Sequence, residues 1–134
     1  MKALKWIALG LVAYVGLVVL FESMLGLFQP QGGDTIVITT FDEDRDVHQR
    51  VVSRLESDGA IYVAANHWPR AWYRRVLDNP DVVVDGDGVA RTHVAVPVTG
   101  AEYDRVNGEH RLGLAFRVLT GFPPRRLVRL DPAF

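Results

Sequence analysis

The sequence has 134 residues, a formal net charge of −1 at pH 7 and no cysteine. A chain of this length contains one compact domain, and its nearly balanced charge excludes the strong positive field of most nucleic-acid-binding proteins. The lack of cysteine excludes disulfides and thiolate metal sites.

The chain begins with an apolar run that is long enough to cross a membrane. No charged residue occurs between Trp6 and Phe21, and a single acid, Glu22, precedes a second apolar stretch that ends at Phe28. About 20 helical residues cross a ~30 Å hydrocarbon layer, and the apolar side chains outweigh the insertion cost of one acid, about 2.5 kcal/mol or more. We predict a transmembrane anchor and linker in residues 1–33 and a soluble domain in residues 34–134.

Two further features of the run concern its processing and its orientation. A cleaved signal peptide is the main alternative, but no A-x-A cleavage pattern follows the run. Lys2 and Lys5 precede the run, whereas Asp34 and the acids of residues 42–44 follow it. The positive-inside rule therefore predicts a cytoplasmic amino terminus, with the domain on the opposite side.

After a Pro/Gly linker at residues 29–33, β-branched runs separated by turn residues predict about six strands and two or three short helices. The predicted strands are residues 35–41, 47–55, 61–65, 82–84, 89–98 and 126–130. The predicted helices are residues 69–77, 101–106 and 112–119. An Asp-Gly hairpin signal at Asp58 and a second turn at residues 85–88 indicate an antiparallel sheet. We predict a mainly β, α+β domain whose sheet closes into a small barrel.

The common catalytic and metal-binding patterns do not occur in the sequence. The four histidines are 17 to 26 residues apart and form no H-x-H or H-E-x-x-H pair. Asp42, Asp44 and Asp46 begin like a calcium loop, but Val47 and Ser53 replace its glycine and its final glutamate. No serine lies in G-x-S-x-G, and the glycines of the 85–88 turn lack the rest of a dinucleotide fingerprint.

Two groups of arginines remain as candidate binding residues. Arg50 and Arg54 are four apart on one predicted strand, so they should share a face about 13 Å apart. Arg70, Arg74 and Arg75 lie on the first predicted helix of the domain. The simpler explanation is a solvated helix face together with strand-edge charges that discourage edge pairing.

The densest patch of candidate ligand-binding residues is the strand-to-helix junction at residues 66–73, with the sequence Asn-His-Trp-Pro-Arg-Ala-Trp-Tyr. Such junctions present backbone N–H groups to anions, and indole rings stack on flat heterocycles. Trp72 and Tyr73 can equally be explained as anchors that hold the helix on the barrel. His67 and Trp68 precede the helix and are therefore the better ligand candidates.

These residues and several strand patterns resemble the deazaflavin-dependent nitroreductase and quinone reductase family. The resemblance extends over residues 34–132 and is most specific at Trp72-Tyr73, followed by Asn79-Pro80 and a valine-rich strand. It implies a six-stranded split β-barrel like that of the flavin-binding pyridoxamine oxidase group. It also implies hydride transfer from a reduced deazaflavin or FMN to a quinone or nitroaromatic acceptor, in which the protein orients the cofactor.

The resemblance also implies the positions of a cofactor site. Arg50 would approach the cofactor phosphate, residues 66–70 would form the loop around it, and Trp72 and Tyr73 would begin the helix beside it. The sequence departs from the family where residues 42–46 replace a basic turn with acids and where bulky residues replace a Gly-Gly loop. The predicted cofactor-binding residues are Arg50, Arg54, Asn66, His67, Trp68, Arg70, Trp72 and Tyr73.

The leading hypothesis is a membrane-anchored oxidoreductase that acts on a quinone-like electron acceptor, without a nucleic-acid partner. The alternatives are a non-catalytic barrel that binds a small anionic ligand or an envelope protein partner, and a purely structural envelope protein. The chain is also a candidate for homodimer formation. Reduced flavins and deazaflavins are most available in the cytoplasm, which conflicts with the orientation rule, so the side of the domain is left open.

Overall fold

A computed structural model describes residues 1–27, 34–65, 71–122 and 124–133, excepting the side chains of residues 25–27. The predicted linker at residues 29–33 lies outside these described residues. The helices and strands, in chain order, are α1 (Lys2–Leu27), β1 (Thr35–Phe41), β2 (Val47–Ser53), β3 (Leu55–Ser57), β4 (Ala60–Ala65), α2 (Ala71–Asp78), β5 (Asp81–Asp85), β6 (Ala90–Pro97), α3 (Gly100–Glu109), α4 (Leu114–Leu119) and β7 (Arg126–Pro132).

The strands of the described residues form one antiparallel sheet, which curls into a half-barrel. The sheet has seven strands in the order β2-β1-β5-β6-β7-β4-β3. The predicted α+β class and antiparallel split barrel are confirmed. The strand count exceeds the predicted six because the predicted strand at residues 47–55 is divided into β2 and β3.

A bend at Arg54 joins the two edges of this sheet. β2 and β3 are consecutive in the chain, yet they lie at opposite edges, where β2 pairs with β1 and β3 pairs with β4. The backbone N–H of Arg54 donates to the carbonyl oxygen of Asp34 at 2.9 Å, which fixes the bend beside the start of β1. Curling the sheet so that its edges approach each other protects strand edges that would otherwise be open to pairing.

Side-chain alternation along the strands gives the sheet two packed faces. The α2 face carries Ile38, Val52, Val63 and Leu130, which pack in one buried cluster with Trp72 of α2. The α3 face is formed by alternate residues of β4 and β7. Their buried members pack with α3 in a second cluster that contains Tyr62, Val98, Val106 and Leu127.

Helix α1 is apolar along almost its whole length. Its stretch Lys2–Met24 has 23 residues and a mean hydropathy of 2.2, so its length and composition suit a membrane span. The same properties are found in signal sequences near an amino terminus.

The second half of α1 lies against α4 and the turn that follows it. Tyr14 donates its O–H to the carbonyl oxygen of Val118 at 2.7 Å. The rings of Phe21 and Phe116 meet edge to face, with centroids 6.1 Å apart. A third contact is made at Gly121, where an added Cβ would lie 3.1 Å from a methyl carbon of Val18.

The β3–β4 hairpin yields a prediction about the stability of the turn. Asp58 and Gly59 have left-handed backbone, with φ of 51° and 77°, in agreement with the predicted Asp-Gly turn. Gly59→Ala should lower the free energy of unfolding by about 1 kcal/mol, because a Cβ is disfavoured in left-handed backbone. Chemical denaturation of the purified protein in detergent measures this change.

The matched control is Gly108→Ala in α3, where nothing lies within 4 Å of the added Cβ. Alanine has the higher helix propensity, so this variant should be unchanged or more stable by up to about 1 kcal/mol. An equal loss of stability in both variants would contradict the assignment of the turn.

Candidate functional site

Arg50 is a half-buried cation on the α2 face of the sheet. It lies across from Ile38 of β1, which is fully buried in the cluster that contains Trp72. Burial lowers the pKa of the Arg50 guanidinium, and the negative charge of Glu22 opposes that shift. Arg50 therefore lies on a partly buried face of the sheet, where an anion is attracted more strongly than in water.

Glu22 is the one acid within the predicted membrane segment. It is buried, with 7% of its surface exposed, and it interacts electrostatically with Arg50. A buried carboxylate is tolerated when an opposite charge compensates its loss of hydration. The acid that interrupts the apolar run thus faces the domain.

Arg54 does not lie on the strand that carries Arg50. The prediction that the two side chains share one strand face is wrong, because β2 ends at Ser53 and the chain bends before β3 begins at Leu55. The Arg54 guanidinium instead forms an ion pair with Glu56 of β3. Its observed contacts support the bend.

Trp72 and Tyr73 anchor α2 on the sheet. Trp72 is 6% exposed within the core, and Tyr73 is partly buried against the same cluster. Their rings meet edge to face at 6.1 Å, so the Trp72 indole is covered and is not free to stack on a ligand in this arrangement. The other predicted site residues, Asn66, His67, Trp68 and Arg70, lie outside the described residues, and their role stays a prediction.

An open cleft of about 470 Å³ lies between the acidic turn after β1 and the end of α2. Within that turn, Oδ1 of Asp42 accepts the backbone N–H groups of Asp44 at 3.0 Å and Asp46 at 2.9 Å. Oδ2 of Asp42 lies 3.0 Å from Nε2 of His48, and this hydrogen bond is the main cause that lowers the pKa of Asp42. The Asp42 carboxylate therefore stabilises the turn in which it lies.

A polar network on the α3 face could not be found from the sequence. Tyr62, which is 1% exposed, donates its O–H to Oε2 of Glu102 at 2.9 Å. Nη1 of Arg129 donates to both Glu102 oxygens, at 2.9 and 2.8 Å, and Nε of Arg129 donates to Asp131 at 2.7 Å. The residues come from β4, α3 and β7, and only Arg129 and Asp131, two apart on β7, are related by a local spacing.

The charges in this network shift each other's pKa values in consistent directions. Burial is the main cause that raises the pKa of Tyr62, and its hydrogen bond to Glu102 adds to the rise. The hydrogen bond from Arg129 is the main cause that lowers the pKa of Glu102. Hydrogen bonds to Asp131 and Glu102 raise the pKa of Arg129, and the bond to Asp131 has the larger effect. The network therefore joins three elements through an ionised pair.

A larger open cleft, of about 590 Å³, lies between α3 and α4. Its lining includes three arginines, Arg111, Arg117 and Arg125, together with Tyr103 and Asn107. Nη1 of Arg125 donates to Oδ1 of Asn107 at 3.0 Å, and burial lowers the pKa of Arg125. The cleft is predominantly cationic, and it borders the segment that packs on α1.

No family profile and no curated protein matches the sequence. Solved structures do match the fold. A haem storage protein from Vibrio cholerae, HutZ, is 19% identical with a TM-score of 0.59, over 78% of this chain and 84% of that chain. A structure described as a domain-swapped dimer is 18% identical with a TM-score of 0.59, over 73% and 80% of the two chains.

An F420-H2-dependent reductase is also similar to this chain, with 15% identity and a TM-score of 0.56 over 73% of this chain and 94% of that chain. Identities this low show a shared fold and carry no residue roles from one protein to another. The split barrel implied by the family resemblance is therefore confirmed as a fold.

The Glu102–Arg129 pair generates a prediction about pH-dependent stability. Glu102→Gln should lower the free energy of unfolding at pH 7 by about 1–2 kcal/mol, because a charge-assisted hydrogen bond is lost. The folded-state pKa of Glu102 is lowered, so its stabilisation is present above the ordinary carboxyl pKa of about 4.3 and is lost as the pH falls through the folded value.

Denaturation of wild type and Glu102→Gln between pH 7 and pH values below about 4 checks the prediction, with convergence of the two proteins at the acid end. Glu109→Gln, an exposed acid at the end of the same helix, is the control and should change stability little at either pH. A difference that stays constant with pH would contradict the ionised pair.

Proposed function

We propose that the chain is a membrane-anchored oxidoreductase that binds a deazaflavin or FMN and passes hydride from the reduced cofactor to a quinone or nitroaromatic acceptor. The observation that carries the proposal is a half-buried arginine, Arg50, on the concave barrel scaffold that is also the fold of an F420-H2-dependent reductase. The apolar length of α1 supports attachment to a membrane. A barrel held there would meet lipid-dissolved acceptors directly.

The described residues fit such a cofactor at one point. The planar guanidinium of Arg50 suits a phosphate, which it can hold through two parallel hydrogen bonds. Asn66, His67, Trp68 and Arg70 would complete the proposed site, whereas Trp72 and Tyr73 support it from within the core. The cofactor, when bound, would supply the hydride, and the chain would position it and exclude water.

Glu22 competes with a ligand phosphate for Arg50. The two groups interact electrostatically, so an anion that binds at Arg50 must displace part of that interaction. The proposed site therefore depends on α1 as well as on the barrel. It also follows that removing the Glu22 charge should strengthen anion binding.

The second candidate function is non-catalytic binding of a small anionic ligand. The burial of the Trp72 indole favours it, since the ring that would stack on a flavin lies in the core. The fold is also that of a haem storage protein. A homodimer is proposed in either case, because one structure of this fold is a domain-swapped dimer.

Titration of the full-length protein in detergent separates the two functions. F420, FMN and haem are added one at a time, and binding is followed by absorbance or fluorescence of the ligand. Oxidation of the reduced cofactor upon addition of a short-chain quinone supports the reductase. Tight haem binding without cofactor binding supports the second function, and binding of none of the three excludes the reductase.

Substitution of Arg50 gives the sharpest prediction. Arg50→Ala should weaken binding of the cofactor about 10- to 100-fold, because a charged hydrogen bond contributes about 1.5–3 kcal/mol. Arg74→Ala on the exposed side of α2 is the matched control and should bind like wild type. Glu22→Gln should bind more tightly than wild type.

The double variant Glu22→Gln/Arg50→Gln tests whether Arg50 acts only as the partner of Glu22. This variant removes both charges, so neither side chain is left as a buried uncompensated ion. Weak binding by the double variant supports a ligand contact by Arg50. Wild-type affinity in the double variant would show that Arg50 does not hold the ligand.

A further inference from the structure

One face of α1 is covered by the domain, and it begins halfway along the helix. Among the described side chains of α1, those of Tyr14, Val18, Phe21 and Glu22 are partly or fully buried, and all the others are exposed. Their spacing of three and four residues places them on a single helix face. The contacts with Val118, Phe116 and Gly121 show that this face meets α4 and the turn after it.

The length of α1 then constrains where α4 can lie. The part of α1 before Tyr14 is about 18 Å long at about 1.5 Å per residue, which is too short for a hydrocarbon layer of ~30 Å. A span that uses Lys2–Met24 must include the turns that contact α4. The contact at Tyr14 lies about 15 Å along the helix from Met24. Therefore α4 cannot keep its contacts with a membrane-spanning α1 and remain in water.

The surface of α4 that faces away from α1 is apolar. Leu114 and Val118 are one helical turn apart and are 68% and 37% exposed, and Phe122 is 51% exposed. Phe122 follows Gly121 in left-handed backbone, with φ of 52° and 76°, so the chain accepts strain in the turn that exposes this ring.

Arginines outnumber acids around this surface, and the adjoining cleft is lined by three arginines and one acid, Asp104. From His110 to Leu130 the sequence has five arginines and no acid. Arg117 lies over the Phe122 ring at 5.6 Å, and Arg111 and Arg125 line the adjoining cleft. Apolar side chains beside arginines are the pattern of segments that lie in the interface of a membrane with anionic headgroups.

We infer that residues 112–122 enter the membrane beside α1, with Leu114, Val118 and Phe122 among the acyl chains and the exposed Arg111 and Arg117 at the lipid phosphates. The occupant of this surface is the lipid bilayer. The inference rests on the membrane attachment in the proposed function, but not on the cofactor or on the reaction.

The lack of cysteine makes a direct test possible, because each introduced thiol is the only one in the chain. Full-length Leu114→Cys and Val118→Cys proteins are labelled with a fluorophore in vesicles of phosphatidylcholine and phosphatidylglycerol. Val12→Cys in α1 reports the span, and Val89→Cys in the β5–β6 turn is the exposed control; both native valines are exposed. Quenching is measured with iodide from water and with nitroxide-labelled lipids from the membrane.

Labels at 114 and 118 should lose most of the iodide quenching seen at 89 and should be quenched by lipid nitroxides. The inference would be overturned if iodide quenched the label at position 118 as much as the label at position 89, while the label at position 12 was quenched by lipid nitroxides. The membrane anchor would then still stand. Protection of 118 from both quenchers would also overturn the inference, because a second copy would then cover α4. Iodide access at 12 would overturn the inference and the membrane attachment together, while the cofactor titrations would remain valid.

Discussion

The electrostatic interaction between Glu22 and Arg50 connects the apolar helix with the sheet. A carboxylate in an apolar helix is costly to insert, and an arginine on a buried sheet face is costly to desolvate. Each cost is reduced because the opposite charges of Glu22 on α1 and Arg50 on β2 attract each other. The pair therefore favours one position of α1 against the domain, and the aromatic contact of Phe21 with Phe116 reinforces that position.

The packing of α4 on α1 affects which positive charges are relevant to the predicted membrane orientation. Lys2 and Lys5 lie at the start of α1, and residues 110–130 contain five arginines, of which Arg117 lies on α4, the helix that packs against α1. Positive charge therefore occurs at the start of α1 and on the helix that packs against it. The positive-inside rule counts charges close to the span in the sequence, and it does not include arginines that the fold brings back to the helix.

Local features of the sequence were sufficient to predict the individual elements. The apolar run predicted α1, the β-branched runs predicted the strands, and Asp58-Gly59 predicted the β3–β4 turn. The bend at Arg54 was missed because residues 47–57 are strand-like throughout, and only pairing with β1 on one side and β4 on the other divides them. Pairing with distant strands divides residues 47–57 into β2 and β3, so a local sequence pattern does not predict the bend.

The site was harder to predict because each residue type there has two uses. Trp72 fits both a ligand platform and a core anchor from its spacing, and its observed burial favours the anchor. The sequence predicts Arg50 as an anion-binding residue. Its interaction with Glu22 joins positions 28 residues apart, and the sequence predicts that Glu22 belongs to a separate anchor. The network of Tyr62, Glu102 and Arg129 is also long-range and left no spacing signal.

The position of Arg50 relative to the helix connects the proposed reaction with the proposed membrane contact. Glu22 lies about 3 Å along the axis from Met24, where the apolar span ends, so Arg50 would lie near the level of the lipid headgroups. A cofactor phosphate held there would meet the polar edge of the bilayer. An acceptor dissolved in the lipid could then react without leaving the membrane. The anchor would then set the height of the site as well as the location of the protein.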